Sequence, residues 1–259
     1  MPNSIYNRMV ELGVTPYSME QPVYKYRSME AAIEILITNQ VYFPTAKELE
    51  RYDRLELHRS ILDLSFTQEE KAKHLIALDL GFNDCPDQHY REKIQPLSIE
   101  FAKTQIGLFS AGKSPNNGPL WERYGNLHKG ICLGFIIPPN TIATDLSFNV
   151  NYTKNPTKIK LFDVVGDNPF SNDVFYWLCT KQERYSYEEE VRIINDKGFG
   201  FRTFEKGMLF EIILGMDTTE RDYNLISKVA ADYGYNVKIN KIAVDDDDYE
   251  LKVVEAITL

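Results

Sequence analysis

FEIILGMDTTERDYNLISKVAADYGYNVKINKIAV, residues 210–244, decides the class of fold. Its opening, residues 210–214, is apolar and β-branched around one Glu, and Gly215 stops it, so it reads as a strand. Asp217 and Glu220 read as the caps of a following helix. That helix carries Leu225, Ile226, Val229, Ala230 and Tyr233 on one face and stops at Gly234. Residues 237–244 then read as a second strand. Working outward, residues 251–257 close the chain as a strand, and residues 191–194 and 130–137 read as strands upstream. Residues 106–110 are a further apolar run, and 150–153 a weak strand.

The first half reads differently. Residues 23–27 are a strand leading into a helix capped by Ser28, with Ala31, Ala32, Ile35 and Leu36 at helical spacing. Residues 41–43 are a short strand stopped by Pro44. A helical region runs over 47–77. Thr67 and Glu70 form a T-x-x-E capping box for its last helix, 68–80, which ends at Gly81. Another helix spans 88–103, and residues 174–182 read as helical. Strands and helices segregate, so the expectation is α+β with a mixed or antiparallel central sheet. A mainly helical segment at 45–104 sits inside a single domain over 1–259, near the size limit of one core at roughly 250–300 residues.

The formal net charge of −9 excludes a basic field over the whole surface, so general nucleic-acid binding is disfavoured, though a local basic groove is not. The run Asp245–Asp248 reads as a solvated turn and lacks the spacing of a calcium loop. Cys85, Cys132 and Cys179 form no C-x-x-C pair, which supports neither a zinc nor a redox motif. Their sparsity suggests a reducing compartment, hence the cytoplasm. Cys132 reads as core; as a nucleophile it would need His128, four residues upstream, as its base. Residues 1–14 have no apolar core of a signal peptide. The longest apolar run, 131–137, is far short of the roughly 20 residues a membrane span needs. No Walker loop, G-x-G-x-x-G, H-E-x-x-H or G-x-S-x-G is present, and no metal is expected.

Three clusters could carry chemistry. In Tyr24-Lys25-Tyr26-Arg27, alternation puts Lys25 and Arg27 on one strand face and the tyrosines on the other. A guanidinium at a strand end grips a phosphate, or else simply pairs on the surface. Trp121 and Tyr124, three apart, share one face of a helical turn and either clamp a flat ring or belong to the core. In Tyr187-Glu188-Glu189-Glu190-Val191-Arg192, a strand would put Glu188, Glu190 and Arg192 on one face. Carboxylates running into a β-branched strand are expected in a cleft or against Arg192.

The order Tyr24-Lys25-Tyr26-Arg27, then W-x-x-Y-x-x-x-H-K-G-I-C-L-G-F over 121–135, then Y-E-x-E-x-R over 187–192, then Glu211-Ile212-Ile213-Leu214-Gly215, resembles the bacterial domain-of-unknown-function 2971 family. The resemblance covers about 23–251. One departure lies after the second strand, where an Asn-Asp-Pro-type turn is common and this chain reads Phe43-Pro44-Thr45-Ala46-Lys47-Glu48-Leu49. Asn83-Asp84-Cys85-Pro86 is a candidate for the displaced turn. The family brings no activity with it.

A second, shorter pattern resembles the toxin-type ADP-ribosyltransferases: an Arg on a first strand, a Ser on a second and E-x-E at a later one, here Arg27, Ser110 and Glu188-x-Glu190. That resemblance implies an ADP-ribosyltransferase-like fold and NAD as substrate. Arg27 would hold an NAD phosphate, and Ser110 would steady the strand under the nicotinamide ribose. Tyr24, Tyr26 or Tyr124 would stack on the nicotinamide. Glu190 would bond a ribose hydroxyl and stabilise an oxocarbenium-like transition state, and Glu188 would orient the acceptor macromolecule's nucleophile. The rivals are a non-catalytic nucleotide- or ligand-binding module with Arg27 and Arg192 as anion grips, and a defence- or stress-associated interaction protein whose Arg192–Glu pairs are structural.

Overall fold

Alternate residues of the strands meet different surroundings, and this alternation organises the protein. The computed structural model describes residues 2–51, 57, 61–80, 85–138, 141, 146–163, 170–195 and 198–256. In chain order they form α1 (Pro2–Glu11), β1 (Val23–Arg27), α2 (Met29–Thr38), β2 (Gln40–Phe43) and a one-turn α3 (Ala46–Leu49). Then come α4 (Gln68–Ala77), α5 (Asp87–His89), a π-helical turn (Tyr90–Ile94) and α6 (Gln95–Gln105). Next are β3 (Gly107–Gly112), α7 (Gly118–Arg123), β4 (Ile131–Phe135), β5 (Leu146–Asn149), β6 (Asn151–Thr153) and α8 (Val174–Leu178). β7 (Thr180–Gln182), a 3-10 segment (Glu183–Glu188), β8 (Glu190–Asn195) and β9 (Gly200–Thr203) lead to a second 3-10 turn (Lys206–Met208). β10 (Leu209–Leu214), α9 (Glu220–Asp232), β11 (Lys238–Val244) and β12 (Leu251–Glu255) complete the order.

Eight strands make one sheet in the order β12-β11-β10-β4-β1-β3-β8-β5. β10 and β11 run parallel and its other pairings are antiparallel, so the sheet is mixed and the class is α+β. Between β2 and β3 the described elements are all helical. On one face Val23, Phe109, Ala111, Leu133, Val191, Ile193 and Ile212 pack under α2 and α9 through Ala32, Leu36, Ile226 and Ala230. Each Val, Leu, Ile or Phe among them stabilises by roughly 1.5–3 kcal/mol when fully buried. The other face carries two apolar clusters. Leu108, Phe148 and Ile194 pack with Phe175 and Trp177 at one end. Tyr24, Tyr26, Cys132 and Ile213 pack with Leu120 and Trp121 at the other. Among the described residues, no helix is long and apolar enough to cross a membrane.

Several expected elements differ. The helix expected over 88–103 is broken by a π turn, where the Gln95 N–H donates to the Tyr90 carbonyl. Pro96 has no N–H to give and its ring crowds the carbonyl four residues back, so the wider turn relieves it. The helix expected over 174–182 stops at Leu178, because residues 180–182 pair in parallel with β6. The cap of α9 is Thr219 with Asp222 in a capping box, not Asp217 with Glu220; the Asp217 N–H instead donates to the His128 carbonyl. Ser28 and the Thr67–Glu70 box cap as expected. The expected stop at Gly81, Asn83 and Asp84 of the displaced turn, and the end of the strand expected over 251–257 lie outside the described residues.

Candidate functional site

The site begins where the sheet comes apart. β1 pairs with β4 along all five of its residues, but with β3 only at Tyr24 and Gly112. Beyond that rung the two strands diverge. Lys25 crosses the gap, and its Nζ donates to the Ser110 carbonyl, which meets the need of a strand oxygen that has lost its ladder donor. Both the odd and the even residues of β1 therefore line one cleft of about 670 Å³, although alternation alone would divide them between two faces.

The cleft collects Arg27, Ser110, Glu188, Glu190, Arg192, Tyr24, Tyr26 and Tyr124, all singled out from sequence. It adds Tyr42, Glu48, Arg51, Arg123 and Lys181, which sequence reasoning missed. Glu48 was within reach, since Thr45-x-x-Glu48 is a capping box. Lys181 gave no signal, because it sits in a run that reads as helix. Six basic side chains (Lys25, Arg27, Arg51, Arg123, Lys181, Arg192) face three carboxylates (Glu48, Glu188, Glu190), an excess of three in a chain of net charge −9.

Glu188 and Glu190 do not share a strand face as expected. Glu188 ends the 3-10 segment, and Glu189 turns the chain in the left-handed region at φ 42° before β8 begins at Glu190. That turn brings both carboxylates onto one ammonium. Lys181 Nζ donates to Glu188 at 2.6 Å and to Glu190 at 2.9 Å, all three side chains being under 10% exposed. Arg192 Nε donates to Glu190 at 2.7 Å and its Nη1 to the Leu178 carbonyl. Tyr124 donates to Glu188 at 3.3 Å, and Arg123 lies 3.5 Å from the same oxygen. Burial pushes the Glu190 carboxyl up, but Arg192 and Lys181 outweigh it and hold it below the usual carboxylate range. The Ser110 hydroxyl lies close enough to Glu190 to favour that charged form without completing a hydrogen bond. Lys25 moves the other way: burial, with Arg27 beside it, drives its ammonium well below the ordinary lysine range, against the pull of Glu190.

Trp121 is not among the cleft residues. It is fully buried, edge-on to Tyr26, and its Nε1 donates to the Pro115 carbonyl at 2.7 Å. Of the two readings of the Trp121–Tyr124 pair, Trp121 takes the core one and no ring clamp is built, so Tyr124, 41% exposed, is left to offer its face alone. Cys132 is buried and burial drives its thiol well above the ordinary range, which removes it as a nucleophile. His128 instead stacks on Trp121 and ends three consecutive left-handed residues, Asn126, Leu127 and His128, at φ 50°, 51° and 62°. Among the described residues no three His, Cys, Asp or Glu side chains gather as a metal site.

Fold and site together define an α+β protein with a cation-rich cleft opened between two strands of a mixed sheet. Residues 120–193 match the model of the family described as "Protein of unknown function (DUF2971)", and the match supports placing the chain in that family. The matched stretch holds Tyr124, Lys181, Glu188, Glu190 and Arg192, whereas Arg27 and Ser110 lie before it. No curated protein and no solved structure matches the chain.

Proposed function

We propose that the cleft takes NAD as substrate and transfers its ADP-ribosyl group to an acceptor. One observation carries this reading: β1, β3 and β8 are neighbours in the sheet, and Arg27, Ser110 and Glu190 from those three strands line one cleft. These are the residue types, in the order, that the transferase resemblance names. Arg27 grips the diphosphate, with Arg51 and Arg123 adding positive charge along the cleft. Tyr124, the most exposed of the candidate tyrosines, stacks on the nicotinamide. The bond from ribose C1′ to the nicotinamide nitrogen breaks and its electron pair leaves with nicotinamide. Glu190, already ionised, bonds a ribose hydroxyl and offsets the charge that develops at C1′. The acceptor nucleophile bonds C1′ and passes its proton to Glu188.

The excess of basic side chains favours a second reading, a nucleotide-binding module without turnover. Incubating the protein with labelled NAD separates the two. The transferase reading expects nicotinamide release that Glu190→Gln reduces by about 10²–10³-fold, as for other preorganised electrostatic groups. Release that survives Glu190→Gln refutes the role of Glu190. An NAD-induced thermal shift without release refutes transfer and upholds the binding module.

A further inference from the structure

A second cavity of about 640 Å³ shares Lys181 with the cleft. It is walled by α8, the segment after β6, β7 and the 3-10 segment. Trp177 lines it, is 1% exposed, and its buried Nε1–H has no hydrogen-bond partner. A buried indole donor left unanswered is costly and uncommon, and an acceptor atom of a ligand would answer it. Three basic side chains (Lys154, Lys181, Arg184) face Glu183, which Lys154 already holds at 2.9 Å. Further flat rings stand on the 3-10 segment beside the cavity, outside its lining. Tyr185 has Arg184 4.8 Å, Lys181 5.3 Å and Arg123 5.7 Å from its ring centre. Tyr187, on the same 3-10 segment, is 40% exposed. Aromatic faces interleaved with cations beside a buried N–H donor are what a nucleotide asks for: stacking for bases, charge for phosphates and a donor for a base edge.

We propose that this second cavity seats a nucleotide of single-stranded nucleic acid and that this strand is the acceptor. A carbonyl or ring nitrogen of the base accepts from Trp177 Nε1. Phosphates meet Lys154 and Arg184, and a neighbouring base stacks on Tyr187. Lys181 joins this seat to the carboxylates of the cleft, so a bound base lies next to the proposed transfer chemistry. As an acceptor site it rests on the transferase reading; as a binding site it does not. The net charge of −9 is compatible with it, because only a few phosphates are gripped.

The test is fluorescence anisotropy with a short labelled single-stranded oligonucleotide and no NAD. Binding is expected with a salt slope of about 1.4, ~0.7 for each of the two gripped phosphates, with local stacking unaffected by salt. Arg184→Ala and Trp177→Phe are each expected to weaken it about ten-fold, the usual effect of losing one buried hydrogen bond or charged contact. Melting curves of both variants check that the fold is retained, and Arg184, at the surface, keeps the test valid if Trp177→Phe unfolds. Absence of binding at low salt overturns the proposal, as does binding that heparin abolishes and neither variant alters. Preferential binding of a phosphopeptide overturns it too. With labelled NAD added, nicotinamide release without oligonucleotide labelling overturns the acceptor role. No release at all refutes the transferase reading while variant-sensitive oligonucleotide binding upholds the site.

Discussion

Replacing Lys181 by methionine removes one ammonium from between two carboxylates and leaves the volume nearly filled. In the native cleft Lys181 lies 2.6 Å from Glu188 and 2.9 Å from Glu190, with side-chain exposures of 8%, 4% and 7%. Breaking a buried pair in this way costs roughly 3–5 kcal/mol, because the surviving charges stay desolvated. Arg192 still holds Glu190 and Arg123 still lies near Glu188, which puts the expectation at the low end, about 3 kcal/mol. For a chain of this size that is a fall in Tm of roughly 6–12 °C. The pH dependence sharpens the test. Without Lys181 the two carboxylates raise the pKa of at least one of them above its unfolded value. A raised folded pKa contributes stability below the unfolded pKa and loses it as pH climbs through the folded value. The penalty should therefore be largest near pH 7 and shrink toward pH 4. Urea melts of both proteins at pH 7, 5.5 and 4 measure it. A loss under about 1 kcal/mol at pH 7, in the range of a surface ion pair, or a loss that does not change with pH, refutes the buried-network account.

Three further outcomes are expected. His74 is buried, accepts or donates through Nδ1 at 2.7 Å to the Tyr90 hydroxyl, and is lowered by burial to about 4. Because the unfolded ring takes up a proton at about 6.5 and the folded one does not, stability should fall by about 2–3 kcal/mol from pH 6.5 to 4, and His74→Gln should flatten that slope in denaturant titrations. Gly215→Ala places a Cβ 2.0 Å from the His128 carbonyl oxygen, and should cost at least ~3 kcal/mol as overpacking against backbone. Gly207→Ala, with open space around its Cβ, is the control and should change Tm little in the same calorimetry. Thr219→Ala removes the side-chain cap of α9 and should cost about 1 kcal/mol, read as a parallel shift of the urea midpoint.

The class of fold was legible because Phe210–Leu214 is apolar around one Glu and residues 238–244 carry Ile239, Ile242 and Val244, on either side of a helix with one apolar face. Local signals of that kind survive in any tertiary context. The π turn at Tyr90–Ile94 was not legible, since Pro96 reads as a tolerated helix residue until the crowded carbonyl is seen. Nor was the end of α8, which is set by pairing with β6, a strand more than twenty residues earlier. In the site, Arg27, Ser110, Glu188 and Glu190 were legible as residue types in order, whereas their convergence depends on the order β1-β3-β8. Lys181 was invisible because its role comes from a left-handed Glu189 that no short motif announces. The most distinctive sequence segment, 121–135, proved mainly structural. Gly130 is fixed by the Arg27 carbonyl, 2.2 Å from where a Cβ would stand, and Trp121 fills the interior.

The single rung between Tyr24 and Gly112 also gives the protein a mechanical character. The four strands β12, β11, β10 and β4 with β1 form one leaf, and β3, β8 and β5 form another; on one face both share the cluster under α2 and α9, and on the other each packs separately. In backbone terms one pairing and the Lys25 strap to Ser110 span that seam, and the shared cluster of Val23, Leu133, Phe109 and Ala111 backs it on the far face. The leaves are thus joined by side chains on one face far more than by backbone pairing. Widening the gap leaves every ladder inside each leaf intact but has to disturb that shared cluster, and the amides facing the seam are the ones whose exchange with deuterated solvent reports such an opening.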